Sequence, residues 1–177
     1  MQELVEGSLL WAPSAETIDK ANLTHYLSWL HENKNLSFTT YQELWQWSVT
    51  EIEAFWGTLW EYFAIIASTP YHTVLASRTM PGAQWFVGAH LNYAENFFRH
   101  RHSTQPAILY QAETGPLHTI SWPALYSQTA KLAQVFKQLG IGRGDRVVAY
   151  LPNRPETIAA FLATASVGAV WSLCSPE

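Results

Sequence analysis

Two histidines separated by one residue, His100 and His102, form the first pattern in this sequence that could do chemistry. On a strand, such a pair would place both imidazoles on one face, where they could bind a metal. Here the pair alternates with Arg99 and Arg101 at the end of a helix predicted over residues 91–98. Cations near a helix C-terminus are favoured by the helix dipole. We therefore interpret both as surface histidines and predict no metal site.

A glycine-rich stretch, Gly140-Ile141-Gly142-Arg143-Gly144, resembles a loop that binds phosphate. A nucleotide-binding loop follows a strand and opens a helix, so that helical N–H groups face the phosphate. This stretch instead follows a predicted helix and leads into a predicted strand, which indicates a helix stop and a turn. The sequence contains no GxxxxGK[ST], HExxH or GxSxG motif, and no carboxylate pair is placed for acid–base work. No catalytic residue is predicted.

Cys174 is the one cysteine, so an internal disulfide is excluded. This cysteine usage is typical of a reducing, cytoplasmic setting. Cys174 lies in or just after a predicted buried strand, and no neighbouring residue would activate it as a nucleophile. We interpret it as a structural thiol. The first residues carry Glu3 and Glu6 and no basic segment, which does not fit a secretory signal.

Composition narrows the classes of partner. The 177 residues are 48% hydrophobic and carry a net charge of −4 without charged blocks, which disfavours nucleic acid as a partner. Residues 157–176 are uncharged and about as long as a membrane span. They also contain Gly168, Pro176 and several Ser and Thr. A helix followed by a strand in a soluble domain explains the stretch better than a membrane anchor does.

The last third of the chain predicts a strand, a helix and a second strand. Residues 147–151 and 169–173 are short apolar runs typical of strands buried on both faces. Pro155 can open the helix between them, and Gly168 can follow its end. The two strands would be parallel, and a parallel pair needs neighbours. We therefore expect the chain to end within a domain, leaving a sheet edge that could promote self-association.

The elements before this unit are mainly helical. Three helices are predicted in the first half: residues 15–34 capped by Ser14, residues 41–47 capped by Thr39 or Thr40, and residues 51–67 capped by Thr50. The last has a wide aromatic face, which usually packs in a core or a domain interface. Residues 106–110 and 117–121 predict a hairpin, and residues 122–139 show helical periodicity capped by Ser121. The fold class is therefore α/β, with an N-terminal helical cap.

Four segments that extend across essentially the whole chain carry recognisable patterns. They are LWAPSAE at 10–16, MPGAQWF with LNYAEN at 80–86 and 91–96, GDRV through LPNRPE at 144–156, and GAVWSLCSPE at 168–177. These segments resemble those of one family of enzymes, the acetoacetyl-CoA synthetases (acetoacetate–CoA ligases). The third pattern is shared across acyl-CoA synthetases, whereas the first and last are narrower and favour the acetoacetyl type over the acetyl or propionyl type.

The resemblance implies residues 1–88 as a helical cap and residues 89–177 as the start of the doubly wound sheet of an AMP-binding domain, truncated. It also implies a two-step ligase. ATP and acetoacetate would give an acyl-adenylate and pyrophosphate, with Mg²⁺ shielding the phosphates, and CoA would displace AMP. The family's phosphate loop and catalytic lysine would lie beyond Glu177. The chain alone is thus expected to be inactive and to bind ATP weakly.

The resemblance suggests one binding edge within this chain. In related acetyl-CoA synthetases, an arginine just before an Ala-Ile strand contacts the CoA nucleotide. The aligned position here is Gln105, which precedes Pro106, Ala107 and Ile108. We predict these four residues as a CoA edge. Two alternatives stay open: a stand-alone binding or regulatory module derived from this lobe, and an acetyl- or propionyl-CoA synthetase.

Overall fold

The computed structural model describes residues 6–176. Its chain divides between residues 64 and 65 into two compact units, here called the helical unit and the α/β unit. Residues 1–5 and Glu177 lie outside the described residues. They include Glu3, on which the prediction about a secretory signal rests, and the last residue of the C-terminal segment that resembles the ligase family. The predicted boundary near residue 88 stays a prediction.

The part of the helical unit that the structure describes, residues 6–64, contains four helices, and one predicted helix proves to be two. They are α1 (Ala15–Asp19), α2 (Asn22–Lys34), α3 (Tyr41–Thr50) and α4 (Ile52–Tyr62). The single helix predicted over residues 15–34 is wrong, because Ala21 is extended, with φ −71° and ψ 139°. The Thr24 hydroxyl donates to the carbonyl of Ile18 at 2.5 Å, so a side chain satisfies a group that a continuous helix would have paired.

Two of the three N-terminal helix caps predicted for this unit are present in the structure. Ser14 and Thr40 are confirmed, since their hydroxyls accept from the N–H groups of Thr17 and Glu43, each at 3.2 Å. Thr50 as a cap is wrong, because its hydroxyl donates back to the carbonyl of Gln46 at 2.9 Å. Helix α4 also ends at Tyr62 rather than residue 67, where the left-handed backbone of Ala64 (φ 44°) follows.

The core of the helical unit forms around the buried residues Tyr26, Leu30 and Leu44. Phe55 and Leu59 of α4 pack against it, as predicted for the aromatic face of that helix. Other rings of the same face, including Trp56 and Phe63, stay exposed. The face thus only partly serves as core.

Within its described residues, 65–176, the α/β unit contains three two-stranded sheets and three α-helices. Its elements are β1 (Thr73–Ser77), β2 (Gln84–Val87), α5 (Tyr93–Phe97) followed by a 3₁₀ turn (Phe98–His100), β3 (Pro106–Tyr110), β4 (His118–Ser121), α6 (Trp122–Gln138), β5 (Arg146–Tyr150), α7 (Pro155–Ser166) and β6 (Val170–Cys174). The predicted hairpin is confirmed by the antiparallel pairing of β3 with β4. Strand β1, antiparallel to β2, was not predicted.

The strand–helix–strand unit is confirmed. Strands β5 and β6 pair in parallel, from Arg146 opposite Val170 to Tyr150 opposite Cys174. Pro155 is the first residue of α7, and Gly168 follows the helix with φ +76°. Helix α7 packs on α6, where Leu125 and Leu162 are almost completely buried.

The prediction that β5 and β6 are buried on both faces is wrong for the structure as described. Val148 and Tyr150 are 72% and 69% exposed, whereas Val147 and Ala149 are half-buried. Helix α7 covers one face, with Phe161 and Trp171 in ring contact at 6.3 Å. No element within residues 6–176 covers the other. Cys174 is likewise exposed rather than a buried structural thiol.

A search of the described helices finds none that is both long and apolar enough to cross a membrane. Residues 157–176 instead contribute most of α7 and the whole of β6.

Candidate functional site

The predicted CoA edge lies at the start of β3. Gln105 is exposed, and its backbone N–H donates to the Ser103 hydroxyl at 3.2 Å. Pro106 is also exposed and pairs with Ser121, whereas Ala107 and Ile108 are half-buried against the core of the α/β unit. The four residues are thus contiguous, but only Gln105 offers a polar side chain to a ligand.

The fit of this edge to CoA is limited by its charge. CoA carries several phosphates, and sites for phosphate usually supply cations or converging N–H groups. The edge has one side-chain amide and no cation, so it does not by itself fit the phosphates. Its contact with CoA stays a prediction, in which Gln105 would contribute a hydrogen bond rather than an ion pair.

The two histidines lie at and just after the 3₁₀ turn, each beside an arginine. The Nε atoms of Arg99 and Arg101 donate to the Nε2 atoms of His100 and His102, each at 3.1 Å. This geometry makes Nε2 the acceptor and places the guanidinium where a metal ion would bind. Among residues 6–176, no group of three His, Cys, Asp or Glu residues is arranged to hold a metal.

The glycine-rich stretch forms the turn between α6 and β5, as predicted. The carboxylate of Asp145 accepts from the N–H of Gly142 at 2.9 Å, and the N–H of Asp145 donates to the carbonyl of Gly142 at 3.1 Å. A carboxylate thus takes the amide that a phosphate would need, and its negative charge opposes an anion there.

A cavity of about 830 Å³ lies in the α/β unit, and the sequence did not reveal it. It lies against α5, the 3₁₀ turn, α6 and the end of α7. Its polar lining consists of Asn92, Glu95, Arg99, Arg101, His102, Thr129, Gln134, Lys137 and Ser166. These residues are scattered over 75 positions of sequence, from Asn92 to Ser166, so only the packing of the elements brings them together.

Two contacts shape this cavity. The Arg101 guanidinium lies over the Tyr126 ring, 5.4 Å from its centroid, which fixes the cation by a cation–π contact. Asn92 caps α5 with its oxygen while its nitrogen donates to the carbonyls of Ala165 and Ser166 at 3.0 and 3.2 Å. The asparagine therefore ties the start of α5 to the end of α7, along one rim of the cavity.

A second, mostly apolar cavity of about 460 Å³ lies in the helical unit, beside Tyr26, Leu44 and Phe55. The Tyr26 hydroxyl and the Thr58 hydroxyl lie 2.6 Å apart in buried surroundings. Burial raises the pKa of Tyr26 above its usual value. The tyrosine is therefore neutral at physiological pH and acts as a structural group.

Comparison with known families gives two matches that meet at residue 97. Residues 41–97 match the family described as the N-terminus of acetyl-coenzyme A synthetase, and residues 97–177 match the AMP-binding enzymes. Together the two matches extend over residues 41–177, which include the α/β unit and helices α3 and α4 of the helical unit.

Individual relatives are similar over nearly the whole chain. An acetoacetyl-coenzyme A synthetase of Rhizobium meliloti is 38% identical over 95% of this chain and 26% of its own length. A malonamoyl-CoA synthetase of Penicillium aethiopicum is 32% identical over 96% of this chain and 24% of its own. The solved acetoacetyl-CoA synthetase of Streptomyces lividans is 45% identical, with a TM-score of 0.87 over 94% of this chain and 26% of that one. The chain thus spans about a quarter of the length of these relatives.

Proposed function

Because this chain belongs to the AMP-binding enzyme family and is similar to its acetoacetyl-CoA synthetases, we propose that it serves as the N-terminal part of an ATP-dependent acid–CoA ligase. The observation that carries this proposal is the 45% identity and TM-score of 0.87 to the Streptomyces lividans enzyme. The proposed reaction converts acetoacetate, ATP and CoA to acetoacetyl-CoA, AMP and pyrophosphate. ATP supplies the activating adenylyl group, with Mg²⁺ on its phosphates, and CoA supplies the thiol that displaces AMP.

In this proposal, residues 1–88 form the helical cap and residues 89–177 begin the AMP-binding domain. Open α/β sheets bind ligands at the carboxyl ends of their strands. In this chain, hydrogen bonds fix the carboxyl ends of β5 and β6. The Leu151 N–H donates to the carbonyl of Cys174 at 3.2 Å, and the Thr157 hydroxyl donates to the carbonyl of Pro152 at 2.7 Å. The chain's contribution is therefore to hold the first edge of the nucleotide-binding sheet in place.

A hybrid enzyme tests this role. This chain would replace the matching segment of the Streptomyces lividans enzyme, and AMP formation from acetoacetate, ATP, Mg²⁺ and CoA would be measured. We expect an active hybrid and no AMP formation by the 177-residue chain alone. A hybrid carrying Leu162→Asp serves as the control, since Leu162 is 1% exposed and a buried carboxylate would disrupt the α/β unit.

Two outcomes would contradict the proposal. A hybrid that is folded by circular dichroism yet inactive would show that this lobe cannot serve the ligase. AMP formation by the isolated chain would show that the chemistry lies within these residues. The carboxylic acid substrate is identified with the native protein from its own source, by comparing kcat/KM for acetoacetate with the values for acetate, propionate and malonamate. We expect acetoacetate to be preferred, and the acetyl or propionyl alternative predicts the reverse.

The same native protein separates the ligase from the stand-alone module. We propose a cytoplasmic ligase that acts on small molecules, without a nucleic-acid or membrane partner. Its intact mass would then be several times the 20.0 kDa of this chain. A native mass near 20.0 kDa would favour a binding or regulatory module instead.

A further inference from the structure

We propose that the 830 Å³ cavity of the α/β unit is a binding site for a phosphate-bearing small molecule. This site is separate from the predicted CoA edge, because none of residues 105–108 lines the cavity. It is also independent of the ligase activity proposed above. Three features of the cavity carry the inference: its charge, a buried hydroxyl and its size.

The charge of the lining opposes that of the whole chain. The chain carries a net charge of −4, yet the cavity is lined by the cations Arg99, Arg101 and Lys137 and by a single carboxylate, Glu95. The arginines come from the segment after α5, and the lysine comes from α6. Cations that converge from two elements create a local positive potential for a compact anion. Phosphate, which carries up to two negative charges, uses such a potential better than a carboxylate does.

A buried hydroxyl on the cavity wall provides the second feature. Thr129 is 3% exposed, and its Oγ1 has no hydrogen-bond partner within the described structure. A buried hydroxyl without a partner is unfavourable, and natural proteins usually satisfy such groups. Thr129 lines the cavity, and rotation of its side chain would present the enclosed hydroxyl to a ligand oxygen, which would accept its proton. The hydroxyl thus marks the point of the wall where a polar ligand atom is expected.

The size of the cavity sets the class of ligand. Small-molecule sites typically enclose about 300–1,000 Å³, so 830 Å³ suits a phosphorylated metabolite or a nucleotide. The Tyr126 ring is already covered by Arg101, which leaves the guanidinium rather than the ring as the nearer surface for a ligand at that wall. Recognition would therefore depend mainly on the phosphate.

Calorimetric titration of the 177-residue chain at low and moderate salt tests the site. The probes are inorganic pyrophosphate and ADP, which distinguish recognition of phosphate alone from recognition of a nucleotide. Lys137→Gln removes one lining charge. Lys131→Gln is the matched control, since Lys131 is an exposed lysine of the same helix that does not line the cavity. Thr129→Val removes the hydroxyl at nearly constant volume.

We expect saturable 1:1 binding of at least one probe, weakened by added salt. Lys137→Gln should weaken it roughly tenfold, as for loss of a charge-assisted hydrogen bond, and Thr129→Val about fivefold, as for loss of a neutral one. Lys131→Gln should leave it unchanged. Absence of saturable binding at low salt, or equal losses in the Lys137 and Lys131 variants, would overturn the proposal. Circular dichroism of the Thr129 variant keeps a folding defect distinct from a binding defect.

Discussion

At the scale of single residues, the Tyr26–Thr58 pair has a defined donor. The Thr58 hydroxyl also lies 2.7 Å from the carbonyl of Phe55, to which it donates its one proton. The Tyr26 hydroxyl must therefore donate to Thr58 Oγ1 across 2.6 Å. The tyrosine ring also meets Trp29 and Tyr62, with centroids 6.3 and 5.0 Å away. One hydroxyl thus fixes a ring at the centre of an aromatic cluster.

Replacement of this tyrosine should have a modest, pH-dependent effect. Tyr26→Phe keeps the ring and should lower the free energy of unfolding by about 1 kcal/mol, the usual net value of one hydrogen bond. The pKa of Tyr26 is raised in the folded chain, so its contribution is present below the unfolded pKa and is lost as pH rises above about 10. Urea unfolding at pH 7 and pH 10.5 should show the variant losing less stability over this interval than the parent. Equal losses would contradict the assignment.

Gln105 allows a second test at this scale. If residues 105–108 contact the CoA nucleotide, Gln105→Arg in the hybrid enzyme should lower the KM for CoA by roughly 3- to 10-fold, because a charge-assisted bond to phosphate replaces a neutral one. The KM for ATP should not change. Gln128→Arg, at an exposed position of α6, is the matched control. An unchanged KM for CoA, or the same change in both variants, would place the CoA site elsewhere.

At the scale of elements, the best-defined helix start is that of α3. The Thr40 hydroxyl accepts from Glu43 N–H at 3.2 Å, and the Glu43 carboxylate accepts from the N–H groups of Thr39 and Thr40 at 2.7 and 3.3 Å. These bonds, above all the one from Thr39, lower the pKa of Glu43. Helix α1 also has a serine cap, Ser14, but buries no residue. The two caps therefore support helices of different importance to the core.

Removal of the α3 cap should open that helix. Thr40→Ala should cost about 1 kcal/mol, as N-cap losses do, and should speed hydrogen exchange over residues 41–50. Ser14→Ala should leave exchange in the rest of the helical unit unchanged.

Because the folded pKa of Glu43 is lowered, the contribution of its carboxylate to the stability of α3 is present above the unfolded pKa and is lost as pH falls through the folded pKa. Glu43→Gln should therefore reduce the acid sensitivity of α3. Unaltered sensitivity would mean that the hydrogen bonds of the Glu43 carboxylate to Thr39 and Thr40 contribute nothing in solution.

The sequence predicted the elements that local chemistry decides. Ser14, Thr40, Ser121, Pro155 and Gly168 act where they were expected, since caps and helix ends depend on neighbouring residues. Side-chain hydrogen bonds to nearby backbone carbonyls were not predicted. The Thr24 hydroxyl donates to the carbonyl of Ile18 near the end of α1, and the Thr50 hydroxyl donates to the carbonyl of Gln46 within α3. Strand β1 escaped because its residues, Thr73–Ser77, do not alternate strictly between apolar and polar side chains. The cavity escaped because its lining residues come together only through tertiary packing.

At the scale of the whole molecule, the parallel pair β5–β6 presents an unusual surface. Its uncovered face displays Val148, Tyr150 and Val170, all exposed apolar side chains. Contiguous exposed apolar surface commonly marks an interaction site or a site of aggregation. Each strand has one partner among the described strands, so each also leaves one edge unpaired there. Unpaired edges can pair with another copy of the chain. The 177-residue chain by itself should therefore self-associate.

A charge on this face should suppress that association. Val148 is 72% exposed, so Val148→Lys costs little in the monomer but places an ammonium group in any contact made through the face. Leu139→Lys is the matched control, because Leu139 at the end of α6 is 70% exposed and lies outside the strand pair. Sedimentation velocity over a concentration series should show association of the parent and of the Leu139 variant, and a mainly monomeric Val148 variant. A monomeric parent would mean that this apolar face does not drive self-association. Equal suppression of association by Val148→Lys and Leu139→Lys would mean that the added net charge, rather than this face, is responsible.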